Sequence, residues 1–127
     1  MRTERFALPV LRLGLVALFL WFGMSQLLDP AGWTAWVPEW PTALTGLDAQ
    51  TIVVLNGAFE VLLGALLAVG FYTRVSAALL AAHLLIIAFE IGYNDIGVRD
   101  AALAVATFSL AFSTPDQYTL DNSLRRG

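Results

Sequence analysis

Residues 52–92 read IVVLNGAFEVLLGALLAVGFYTRVSAALLAAHLLIIAFEIG, and this stretch decides the fold. It consists of two apolar runs hinged on Gly70-Phe71-Tyr72-Thr73-Arg74. Each run carries ionisable groups where a lipid-spanning helix tolerates them least. Glu60 lies near the middle of the first, His83 near the middle of the second, and Glu90 toward its far end. A lone carboxylate at the bilayer centre costs about 2.5–3.5 kcal/mol even on the mild insertion scale. These side chains are therefore expected to face other helices rather than lipid.

The rest of the chain agrees with a lipid setting. Of its 127 residues 58% are hydrophobic and 13% charged, against about 45–50% and 25% in soluble domains. A single domain of this size has too little interior for that much apolar surface, so the chain reads as one integral membrane domain, residues 1–127, embedded in a lipid bilayer. It has no cysteine, which removes disulfides, thiolate metal sites and dithiol redox chemistry. Net charge is −3 and every basic residue is arginine. No basic patch suggests nucleic acid, and the acidic residues lie mostly in connecting segments.

In chain order, an apolar run over about 6–28 is long enough to cross a hydrocarbon core of about 30 Å. Its length, the interrupting Arg12 and the lack of a small-residue cleavage pattern argue for a retained helix rather than a signal peptide. Asp29-Pro30 reads as an N-cap with proline at the first helical position, opening a short interfacial helix that Pro38 ends. Trp33, Trp36 and Trp40 in this stretch suit the headgroup region, and two readings stay open: an interfacial anchor, or a lid over a cavity between the helices. Asp48 caps a second long helix over 49–70. A tight Thr73-Arg74 turn leads to a third over 75–92. After the turn cluster Tyr93-Asn94-Asp95-Ile96-Gly97, a fourth and shortest segment covers 98–113, with Thr114-Pro115 ending it. The segment 114–127 reads as a polar, partly disordered tail.

These segments predict an all-α, four-helix up-down-up-down membrane bundle with one short interfacial helix. Arginine then orients it. Four spans put Arg2, Arg5, Arg12, Arg74, Arg125 and Arg126 on one side and Arg99 alone on the other. That bias places both termini in the cytoplasm of a multi-pass protein of the cell membrane.

Residues three, four or seven apart share a helix face. Arg12, Phe19, Gly23 and Gln26 form one such stripe. Asn56, Glu60 and Gly64 form another, with Gly57 beside it. Ser76, His83 and Glu90 recur every seven residues, as do Asp100, Thr107 and Thr114. A bundle that turns these stripes inward satisfies the polar groups and lets glycines bring backbones close. Counting inward from Ile52, Glu60 lies about 12 Å deep, near the level of His83, so the two are expected to pair. Arg12 can snorkel toward the cytoplasm, while Glu90, Arg99 and Asp100 form an outer-face cluster and pair with one another. Glu60, His83, Asn56, Arg12 and Gln26 are the intramembrane candidates for binding a ligand. Three readings of them stand: interhelical glue, a ligand pocket, or a proton path. The nearby carboxylates and the single histidine make no recognisable metal motif. No nucleophile–base pair, phosphate loop or dinucleotide fingerprint is present.

Leu11-Arg12-Leu13-Gly14 with Gly23 resembles the first helix of DoxX-family membrane proteins. Gly57-Ala58-Phe59-Glu60-Val61-Leu62-Leu63-Gly64 and Gly70-Phe71-Tyr72-Thr73-Arg74-Val75-Ser76-Ala77-Ala78 resemble its second and third. Arg99-Asp100-Ala101-Ala102-Leu103-Ala104 resembles the last, so the likeness covers about 6–114. It implies a small four-helix membrane protein, with Arg12, Glu60 and Arg74 at recurring family positions. Relatives include the DoxD-type subunit of thiosulfate:quinone oxidoreductase. The expected role is therefore an accessory or quinone-facing subunit of a membrane oxidoreductase, with a quinone as candidate cofactor and an oxidoreductase subunit or a second copy of the chain as partner. A non-catalytic lipid- or partner-binding assembly protein and a small proton or solute transporter are the alternatives. A more distant likeness to four-helix quinone-reactive thiol oxidases confers no redox role, because their cysteines are absent here. Fold alone does not determine function, and the sequence assigns no reaction.

Overall fold

The computed structural model describes residues 3–91, 94–113 and 116–126, apart from the side chains of Ile91, Arg125 and Arg126. Gly92, the expected end of the third helix, Tyr93 of the expected turn cluster and the Thr114-Pro115 stop lie outside the described residues. After a 3-10 turn, Thr3–Phe6, come α1 (Ala7–Leu28), a second 3-10 segment (Pro30–Trp36), α2 (Glu39–Thr45), α3 (Ala49–Val69), α4 (Thr73–Ile91), α5 (Asp95–Phe112) and α6 (Leu120–Arg126). No strand occurs among the described residues.

Helix ends follow from local chemistry. Pro30 keeps Asp29 out of helical conformation, and the Asp29 carboxylate then accepts the Gly32 N–H at 3.2 Å to open the 3-10 segment. The expected single interfacial helix is in fact two pieces. Val37 and Pro38 are extended, and Pro38 both ends the first piece and precedes α2. Pro41 is tolerated in the first turn of α2, where its missing N–H would have no partner in the helix. Asp48 accepts the Thr51 N–H at 2.8 Å and so caps α3. The Thr51 side chain and then its N–H hold the Asp48 carboxyl below its ordinary range. Gly70, left-handed at φ 75°, closes α3, as helix C-termini commonly require.

Two starts differ from expectation. α4 begins at Thr73 rather than 75 because the carboxylate of distant Asp121 accepts the N–H groups of Tyr72 and Thr73, at 2.8 and 2.7 Å. α5 begins at Asp95 rather than 98 because Asn94 caps it through the Gly97 N–H at 2.9 Å. The tail differs most. Instead of a disordered polar segment, Asp116 and Thr119 are buried and α6 is helical.

Among the described residues three segments are long and apolar enough to cross a membrane: Thr3–Leu28, Ala49–Val69 and Thr73–Glu90. α5, the expected fourth, is not among them; Asp95, Arg99 and Asp100 crowd its first turns. α1 packs along α3, α4 along α5, and α3 against α4. Phe19, Leu67, Leu80, Ala104 and Leu110 are buried in the shared core, whereas Trp21, Leu62, Phe89 and Phe112 point outward, as lipid-facing positions should in so apolar a chain. The inward stripes hold Arg12, Phe19, Gln26, Glu60, Ser76, Asp100 and Thr107, all buried.

Candidate functional site

A close approach of α1 and α3 builds the site. Gly23 on α1 and Gly57 on α3 lack the side chains that would hold the backbones apart. One turn further along α1, Gln26 meets α3: Asn56 donates from Nδ2 to Gln26 Oε1 at 2.6 Å. The same nitrogen lies 3.3 Å from Glu60 Oε1, one turn along α3. From α4, His83 Nε2 approaches that same oxygen to 3.5 Å, close enough to pair but not aligned as a hydrogen bond. The His83 ring also lies against Phe59, centroids 4.8 Å apart and tilted by 47°. Gln26, Asn56, Glu60 and His83 thus form one chain of polar groups across α1, α3 and α4. Glu60 Oε2 is buried and has no hydrogen-bond partner among the described residues.

This polar chain borders a cavity of about 680 Å³. Phe19, Phe22, Phe59, Leu84 and Leu103 contribute apolar wall, and Glu90, Arg99 and Asp100 also line it. Trp33, Trp36 and Trp40 line it as well, from the 3-10 segment and α2. Trp33 meets Phe22 edge-on at 5.8 Å. Trp40 donates from Nε1 to Glu90 Oε1 at 2.8 Å, tying α2 to α4. Glu90 therefore bonds Trp40, while Arg99 and Asp100 pair with each other at 3.5 Å.

Arg12 is not part of this cavity. It is buried near the other end of α3, where NH1 donates to the Leu67 and Ala68 carbonyls at 2.9 and 2.8 Å and Nε to Asp116 Oδ2 at 3.0 Å. It does not snorkel, because the final turn of α3 and a tail carboxylate satisfy its guanidinium inside the protein.

The family model for DoxX matches residues 7–92. The chain belongs to the DoxX family. No match was found among curated proteins or among solved structures.

The DoxX match spans α1 to α4 and so contains Gln26, Asn56, Glu60, His83 and the three tryptophans, together with Arg12 and Arg74. Arg99, Asp100, Asp116 and Asp121 lie beyond it. Among the described residues no three His, Asp or Glu side chains group closely enough to hold a metal ion. What the cavity offers chemically is a largely apolar, open-sided space with a carboxylate–imidazole pair at its border. Asp116, Thr119 and Asp121, which shape the far end of this DoxX chain, were missed by sequence reasoning. Arg12 was the available signal. A buried guanidinium needs a carboxylate, and on its side of the chain only Glu4, Asp116 and Asp121 could supply one.

Proposed function

We propose that the cavity binds the head of a quinone-type amphiphile, and that this DoxX protein presents it as an accessory, quinone-facing subunit of a membrane oxidoreductase. One observation carries the reading: an apolar, aromatic-walled space of about 680 Å³ is bordered by the Glu60–His83 pair. Ligand sites have this character, mostly apolar lining with a few placed polar groups, and intramembrane ionisable residues mark functional sites by default. The aromatic side chains suit a flat ring, and the polar pair suits its oxygen.

The same proposal takes α1, α3, α4 and α5 as four spans in up-down-up-down order within the cell membrane, with both termini cytoplasmic. The arginine bias of the loops supports this orientation. So does the use of arginine at one end of the helices: Arg12 bonds the last carbonyls of α3, and Arg74 Nε donates to the Ala111 carbonyl near the end of α5 at 2.9 Å, the favourable place for a cation.

The test is direct binding. In a Trp21→Phe background, tryptophan fluorescence reports chiefly on the cavity. Titration of the detergent-purified protein with a short-chain quinone and its quinol should give saturable quenching, weakened by Glu60→Gln and by His83→Ala. Absence of saturable binding of either form would remove the reading. Purification from native membranes with phospholipid alone would favour the lipid-binding alternative.

A further inference from the structure

The polar groups at the cavity are unevenly satisfied, and the imbalance selects a ligand head. Asn56 Nδ2 is shared between Gln26 at 2.6 Å and Glu60 Oε1 at 3.3 Å. His83 Nε2 lies 3.5 Å from that same Oε1. Asn56 thus serves one carboxylate oxygen, while His83 Nε2 lies near the same oxygen without being aligned as a hydrogen bond. The other, Oε2, is buried with no donor among the described residues. A carboxylate oxygen offers only lone pairs, and burying one without a donor forfeits a charge-assisted hydrogen bond.

We infer that the ligand supplies the missing donor: a neutral hydroxyl, on a phenol or alcohol with an apolar body, that hydrogen-bonds to Glu60 Oε2. A carbonyl head placed there would set lone pair against lone pair. An ammonium would have to leave its hydration behind among apolar walls, beside a carboxylate that already accepts from Asn56. Glu60 lines the cavity and the terminal torsion of a glutamate is soft, so a ligand hydroxyl can meet Oε2 without backbone movement. Of the two members of a quinone couple, this site favours the hydroxyl-bearing quinol. The inference rests on the cavity being a ligand site, as proposed above.

Four probes on one alkyl tail separate the possibilities in the detergent-purified full chain: a 4-alkylphenol, its methyl ether, the matching benzaldehyde and an alkylammonium. The phenol should bind about tenfold or more tightly than its ether. In Glu60→Gln the phenol preference should shrink to about twofold, and the aldehyde should gain, because an amide N–H can donate to a carbonyl. These are ratios among probes within one variant, so partial loss of folded protein does not imitate them. Equal binding of phenol and ether would overturn the hydroxyl inference while leaving the cavity reading standing. Tighter binding of the aldehyde or the ammonium in the wild type would also overturn it. Binding of no probe would remove the cavity reading itself.

Discussion

Arg12 and Asp116, 104 residues apart in the chain, meet at 3.0 Å in a site nearly closed to solvent. The guanidinium also bonds the last-turn carbonyls of α3, so one side chain ties α1, the end of α3 and the C-terminal segment together. Removing one partner of a buried pair leaves the other charged and unpaired, which costs about 3–5 kcal/mol. Arg12→Ala should therefore lower stability by that order, and Arg12→Lys should recover only part, since an ammonium lacks the planar fork that serves three acceptors. Thermal unfolding in detergent of Arg12→Ala, Asp116→Ala and the double variant measures the coupling. The double variant should be less destabilised than the sum of the singles; simple additivity would show that the two residues do not act as a pair.

Asp121 gives the same end of the molecule a pH dependence. Burial pushes its carboxyl upward, but the N–H groups of Tyr72 and Thr73 outweigh that and hold it below the ordinary value, about 3.9 for aspartate. A carboxyl depressed in the folded state adds stability that is fully present above the unfolded value and is lost as pH falls through the lower folded one. It also supports Tyr72, whose φ of 52° is unusual for a residue other than glycine. Protease resistance of the C-terminal segment should thus be constant from neutral pH down to about pH 4 and fall only in stronger acid. In Asp121→Asn the segment should be more readily cleaved at neutral pH. Equal cleavage of variant and wild type would show that this cap does not hold the segment.

How much of this was legible depended on whether a residue sat in a periodic segment. The stripe through Arg12, Phe19, Gly23 and Gln26 could be read from spacing because a helix repeats its faces. Glu60 and His83 could be set at one depth because both lie at countable distances from span ends. α5 reads as a span by its length, and Asp95, Arg99 and Asp100 at its start set its composition apart from the three more apolar helices. The contacts of Asp116 and Asp121 were invisible for another reason: carboxylates in a short polar tail look the same whether solvated or docked. Trp40 was read as headgroup-loving, which says nothing about the acceptor it finds across the cavity on α4.

The glycine crossing is the third place where one atom matters. A Cβ on Gly57 would lie 2.8 Å from the Gly23 carbonyl oxygen, and one on Gly23 would lie 3.0 Å from the Gly57 oxygen. Both obstacles are backbone, which cannot turn aside as a side chain can. Gly57→Ala should force α1 and α3 apart and cost about 1–3 kcal/mol, as overpacking does. It should also lengthen the Gln26–Asn56 hydrogen bond and so loosen Glu60. Gly14, with open space around its Cα, is the control: Gly14→Ala should be neutral or slightly stabilising, since alanine is the better helix former. Thermal unfolding of the two variants decides the matter, and equal effects at both positions would refute the close crossing.

Trp40 and Glu90 make the one hydrogen bond in this group that should affect rates more than stability. It joins α2 to α4 at a cavity-lining position, and both side chains remain exposed. An exposed hydrogen bond contributes little net free energy, about 0.5–1.5 kcal/mol, so Trp40→Phe should leave the melting temperature nearly unchanged. The ring stays and the donor goes, freeing α2 from its tie to α4. If the tryptophan segment acts as a lid over the proposed ligand, loosening it admits and releases an amphiphile faster in both directions, with little change in affinity. Stopped-flow quenching should therefore show association and dissociation of the phenol probe both accelerated in Trp40→Phe. Glu90→Gln, which retains a carbonyl acceptor for the indole N–H, should stay near wild type. A Trp40→Phe variant with unaltered rates would mean that the bond is a surface tether and that the cavity opens elsewhere.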